Sequence, residues 1–68
     1  MKRIKIKGEY IKLDQLLKLS GIADTGGGAK NWILEGNVLV NGVKEQRRGK
    51  KIRPGDVVET AGEIIRAE

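Results

Sequence analysis

The spacing of apolar residues changes period along this chain, and that change restricts the folds open to it more than any other feature. Arg3-Ile4-Lys5-Ile6-Lys7 alternates charged and β-branched residues, so a strand here puts Ile4 and Ile6 on one face and three cations on the other. Tyr10 to Leu19 then places Leu13, Leu16 and Leu17 at helical spacing, with Asp14 suited to the positive end of the helix and Gly21 able to cap its far end. After the turn Asp24-Thr25-Gly26-Gly27-Gly28, with Asp24 or Thr25 as N-cap, a second helix is expected to run to about Glu35, ended by Gly36. Ala29 and Ile33 form its inner face. From Asn37 the period returns to two. Val38 and Val40 share a face, Asn41-Gly42 marks a hairpin and Val43 starts the return strand. Pro54-Gly55 reads as a tight turn, Val57-Val58-Glu59 as a strand, and Glu63 to Ala67 as the last strand. The expected order is a strand, two helices, then three or four strands, with the basic segment 46–53 left irregular. This is an α+β architecture.

At 68 residues the chain holds one domain, spanning 1–68, with no room for separate catalytic and regulatory modules. It contains no cysteine and no histidine, which removes disulfides, thiol nucleophiles, imidazole bases and cysteine or histidine metal sites. Neither an enzyme nor a cofactor is expected. No apolar run approaches the roughly 20 residues of a membrane span, and the charged first strand is unlike a signal peptide, so a cytoplasmic protein without a membrane partner is expected. A monomer is expected as well.

A net charge of +5 favours a polyanionic partner, and its distribution is sharper than its total. Residues 44–53 carry Lys44, Arg47, Arg48, Lys50, Lys51 and Arg53 against Glu45, a net of +5, and residues 2–7 add +4. The rest of the chain is net −4, with four acids and one arginine from Asp56 to Glu68. A basic side and an acidic side are expected. Lysines on strand faces also solvate them and protect edges; the cluster around Arg47, Arg48, Lys50 and Lys51 is denser than that role requires. The aromatics are Tyr10 and Trp32, so no platform for stacking successive bases can be assembled, and Trp32, beside Ile33, belongs to the core side of its helix. Phosphates and RNA shape remain as the features to recognise.

Gly26-Gly27-Gly28-Ala29-Lys30 is no nucleotide P-loop, which needs glycine directly before the lysine, Ser or Thr after it and a preceding strand. No small-molecule substrate is expected. The glycines leave backbone N–H groups of Gly26 and Gly27 open to a phosphate at the second helix start, or form a plain turn.

The order Leu13-Asp14, Ala29-Lys30, Ile33, Gly36, Val38-Leu39-Val40-Asn41-Gly42 and Pro54-Gly55-Asp56-Val57 resembles the RNA-binding domain named after ribosomal small-subunit protein four, over about Lys12 to Val58. The triple glycine with Ala29-Lys30, together with Arg47-Arg48-Gly49-Lys50-Lys51, resembles its small stand-alone bacterial members, the YaaA/YbcJ-like proteins. The resemblance implies a helix-turn-helix-like pair packed on a small, mainly antiparallel β-sheet. It also implies RNA contacts at Lys12, Asp14, Lys18, Thr25, Lys30 and from Asn41 and Gly42 to Lys44. The family often has arginines at the positions of Gly26 and Gly27. The expected function is docking, without catalysis, on structured RNA, ribosomal in preference to transfer RNA, as a ribosome-assembly or quality factor. A protein-interaction adaptor with a basic face is the alternative from another class. A ubiquitin-like sulfur carrier shares several local features but needs a terminal Gly-Gly, where this chain has Ala67-Glu68.

Overall fold

The computed structural model describes residues 1–68. Its elements in chain order are β1 (Lys2–Ile4), β2 (Ile11–Lys12), α1 (Leu13–Leu19), α2 (Gly26–Leu34), β3 (Leu39–Val40), β4 (Val43–Lys44), β5 (Lys51–Ile52), β6 (Val57–Thr60) and β7 (Glu63–Ala67). Five strands form one sheet in the order β1-β7-β6-β3-β4, antiparallel except for the parallel pair β1 and β7. The α+β expectation, with two helices and a mainly antiparallel sheet, holds.

Both helices end as their glycines predict. The Ile22 and Gly21 N–H groups donate to Leu17 O and Lys18 O, a Schellman arrangement, and Gly36 N–H donates to Ile33 O. Thr25 is the N-cap of α2, its Oγ1 accepting from Gly28 N–H at 2.9 Å. In the hairpin, Asn41 takes φ 51° and Gly42 φ 83°, the left-handed pair that a two-residue turn demands. Leu39 then pairs with Lys44 and Val40 with Val43.

The core joins one stripe from each helix to the inner sheet face. Leu13, Leu16 and Leu17 of α1 meet Ala29 and Ile33 of α2, and Val38, Val40, Val58, Ile65 and Ala67 complete the layer. Truncating a buried leucine in so small a core costs about 2–5 kcal/mol. Trp32 lies half-buried at the edge of this core, as its place beside Ile33 predicts; its Nε1–H donates to Thr60 Oγ1 at 2.7 Å, and that hydroxyl donates to Asn37 O at 2.7 Å. The relay ties α2 to β6.

Three local expectations are corrected by pairing across the chain. The first helix begins at Leu13 and not Tyr10, because Ile11 and Lys12 are drawn into an antiparallel pair with Ile52 and Lys51. The same pair makes residues 51–52 a strand, so five strands follow the helices, and Ile52 is fully buried among cations that the sequence leaves irregular. The first strand is shorter than Arg3–Lys7, although its alternation persists: Glu68 N–H donates to Ile4 O, Ile6 N–H donates to Glu68 O, and Ile6 is buried. The expected separation into basic and acidic sides is also incomplete. Because β1 runs beside β7, Lys2 meets Glu63 at 3.8 Å and Arg3 meets Glu68 at 3.9 Å. Those contacts pair two of the four N-terminal cations and leave Lys5 and Lys7 free.

Candidate nucleic-acid interface

The basic segment after β4 is a strap fastened at both ends. Glu45 N–H donates to Val38 O, and the Gln46 side chain donates to Leu34 O, one of the carbonyls that the end of α2 leaves without a helical partner. Farther on, Leu13 N–H donates to Lys50 O at 2.9 Å and Asp14 N–H to Arg48 O at 3.1 Å. The first two orphan N–H groups of α1 are thus satisfied by backbone carbonyls of the strap, while Arg48 projects its charged side chain into solvent and Lys50 is half-exposed. The cations are held on an ordered backbone, which lowers the entropy lost when an anion binds.

Pairing of β2 with β5 adds Lys12 to this group. Lys12 and Lys51 are direct antiparallel partners, so two exposed ammonium groups share one side of a two-residue ladder, where like charges destabilise. The ion pairs of the molecule are Lys2–Glu63, Arg3–Glu68 and Arg47–Glu45. Lys12, Arg48, Lys50, Lys51 and Arg53 have no carboxylate partner. An open cleft of about 480 Å³ is lined by Arg47, Gly49, Lys50, Lys51 and Arg53, with no apolar residue. Its chemistry is that of a phosphate-binding surface.

Two carboxylates at the edge of the cleft organise it. Arg47 grips Glu45 through Nε at 3.0 Å and a terminal nitrogen at 3.2 Å; this hydrogen bonding holds the Glu45 carboxyl below the ordinary range and raises the Arg47 guanidinium. Burial opposes the charge on Asp56. The hydrogen bonds donated by Arg53 N–H and the Asn41 amide, with the charges of Lys50 and Arg53, outweigh that cost and keep its carboxyl below the usual range. Asn41 Oδ1 also accepts from Val57 N–H at 2.9 Å, so both ends of the Asn41 amide hold the hairpin to β6.

The residues singled out in the sequence therefore fall into three groups. Lys12, Arg47, Arg48, Lys50 and Lys51 converge around the strap and the start of α1. Lys18 is exposed farther along α1, near Ile11, Gln15 and Leu19, and Lys30 is exposed on α2 just beyond Gly26 and Gly27. A side chain at Gly26 or Gly27 meets open space, so the fold does not require glycine there. The third group serves the structure. Asp14 is buried and accepts from Gln15 N–H at 2.9 Å, Thr25 caps α2, and Asn41 with Gly42 shapes the hairpin. Lys44 lies over Gly36, where a Cβ would stand 3.4 Å from Nζ; its charge sits at the negative end of α2 and away from the cleft. Sequence reasoning left two members of the surface unassigned. Arg53 lines the cleft, and Tyr10 stands beside it with Lys51 Nζ 5.0 Å from its ring centroid. For Tyr10 the available signal was an aromatic next to a strand that only long-range pairing creates.

Comparison with known proteins agrees with this architecture. The S4 domain family model matches residues 4–67. The chain is 48% identical over 59 residues to the "Probable ribosome maturation protein RlbA" of Bacillus subtilis, covering 87% of this chain and 83% of that protein. It is 41% identical over 59 residues to YbcJ of Escherichia coli, covering 87% and 84%. The solution structure of E. coli YbcJ, described as revealing an ALFAL motif involved in RNA-binding, superposes with a TM-score of 0.75 at 37% identity, covering 98% of this chain and 86% of YbcJ. With the match running through both helices, the hairpin and the closing strands, this chain belongs to the S4 domain family.

Proposed function

We propose that this chain binds structured RNA without catalysing a reaction, docking on ribosomal RNA as a single-chain assembly factor in the cytoplasm. The observation that carries the reading is the facing of Lys12 and Lys51 across β2 and β5, beside a cleft where Lys50, Lys51 and Arg53 have no carboxylate partner. A fold retains such a repulsive contact where a ligand of opposite charge relieves it. Family membership supports the RNA partner, and the name of the B. subtilis relative supports the ribosomal setting. Phosphates supply the attraction and the A-form helix the shape, since one exposed aromatic cannot read successive bases.

The test is a binding titration with ribosomal RNA fragments and transfer RNA over a range of salt. Engagement of about four to six phosphates gives a slope of log K against log salt of about −3 to −5. A slope near zero refutes the phosphate surface, and equal affinity for transfer RNA refutes the ribosomal preference.

A further inference from the structure

Adjoining the basic cleft, on the other side of Tyr10, lies a patch of different character. A shallow pocket of about 380 Å³ is lined by Lys5, Ile6, Lys7, Tyr10, Ile11 and Leu19, within the range of about 300–1,000 Å³ common for small-ligand sites. Its floor is apolar: Tyr10 is 37% exposed, and Leu19, though the last residue of α1, is 60% exposed and covered by nothing. Its rim is cationic. Lys5 and Lys7 have no ion-pair partner, unlike Lys2 and Arg3 on the same segment, and Lys51 reaches the Tyr10 ring from the cleft. No carboxylate lines the pocket. A flat apolar floor with an aromatic ring, ringed by cations and free of acids, matches one nucleotide: a base against the ring, and phosphates on either side against ammonium groups.

We propose that Tyr10, with Ile11 and Leu19, forms a site for a single unpaired RNA base, placed at a bulge or loop next to the helix that the basic strap engages. The assignment rests on the RNA-binding reading above and deepens it. Paired bases of an A-form helix do not expose a face to a side chain, so a base reaches Tyr10 only when it is unstacked. One aromatic accommodates one base, consistent with a chain that has no second exposed ring. Such a site supplies what a purely electrostatic surface lacks, a means of choosing one position along an RNA helix.

The experiment compares a fully paired RNA hairpin with a set of hairpins carrying one bulged adenosine at each successive stem position. Each is titrated against the unaltered protein, Tyr10→Leu and Tyr10→Trp, with circular dichroism melts confirming that all three fold. The expected result is that the unaltered protein prefers at least one bulged hairpin by about tenfold or more over the paired one. Tyr10→Leu brings the ratio of bulged to paired affinity to about one, whatever its effect on the paired hairpin through Lys51, and Tyr10→Trp keeps the preference. Equal binding of every hairpin by the unaltered protein, or a preference that survives Tyr10→Leu, overturns the base site and leaves the RNA-binding reading intact. Failure to bind any hairpin overturns both.

Discussion

Reversing the charge at Lys12 is expected to make the protein more stable and a poorer RNA binder, two effects of opposite sign from one side chain. Lys12 faces Lys51 in the β2–β5 pair and immediately precedes α1. Lys12→Glu converts a like-charged cross-strand pair into an opposite one, and each of these changes is worth about 0.2–1 kcal/mol. The new carboxylate also meets the positive end of a helix, for a further few tenths of a kcal/mol. Both side chains are exposed, so screening places the total at the lower end, about 1 kcal/mol. For a domain of this size that corresponds to a rise in Tm of about 4–8 °C at low salt, shrinking as salt is added. In RNA binding, the same substitution removes a phosphate partner and adds a repelling charge. Affinity should fall about tenfold or more, and the salt slope should become shallower by about one. Lys12→Gln separates the two contributions, with a smaller gain in stability and an intermediate loss of affinity. Thermal melts and titrations on the same preparations decide the matter. A lower Tm for Lys12→Glu would show that the facing cations do not repel, and unchanged affinity would place the RNA elsewhere.

Within the strap, Arg48→Gln should weaken RNA binding more than Arg47→Gln, because Glu45 already offsets the Arg47 charge. Neither should alter Tm by more than a few degrees, since the strap holds α1 through backbone carbonyls; unfolding of the Arg48 variant would mean its side chain is structural. Ala61 adopts φ 53° in the turn between β6 and β7, a left-handed conformation unfavourable to alanine, so Ala61→Asn should stabilise by about 0.5–1 kcal/mol in denaturant melts. The depressed Asp56 carboxyl contributes stability that is present above its unfolded pKa of about 3.9 and is lost as pH falls through the lower folded value. Asp56→Asn should therefore cost about 1 kcal/mol at neutral pH and flatten the fall in Tm below about pH 4, leaving the part due to Glu45; an unchanged acid profile would refute the role given to Asp56.

Local chemistry made much of this protein legible in its residues. The Leu13-Leu16-Leu17 stripe, the Thr25 cap, the glycines after each helix and Asn41-Gly42 each specify a conformation through neighbours a few positions away, and each appears where it is expected. Val38 and Val40 lie buried with Leu39 between them exposed, since a strand's two faces are set by alternation alone. The basic cluster was equally visible, because charge density does not depend on the fold. Periodicity says which face of a segment is apolar and is silent on what will cover it. Nothing local distinguishes Ile11 and Ile52 as partners, for a two-residue ladder has almost no pattern and exists because both side chains complete a common core. Its formation trims the first helix, sets Lys12 against Lys51 and carries Tyr10 to the edge of the cleft. The parallel run of β1 along β7 likewise joins the two ends of the chain, so that charges belonging to opposite blocks of sequence neutralise each other in space. Which cations remain free for a phosphate is therefore decided by long-range burial of apolar residues, to which the surface charges conform.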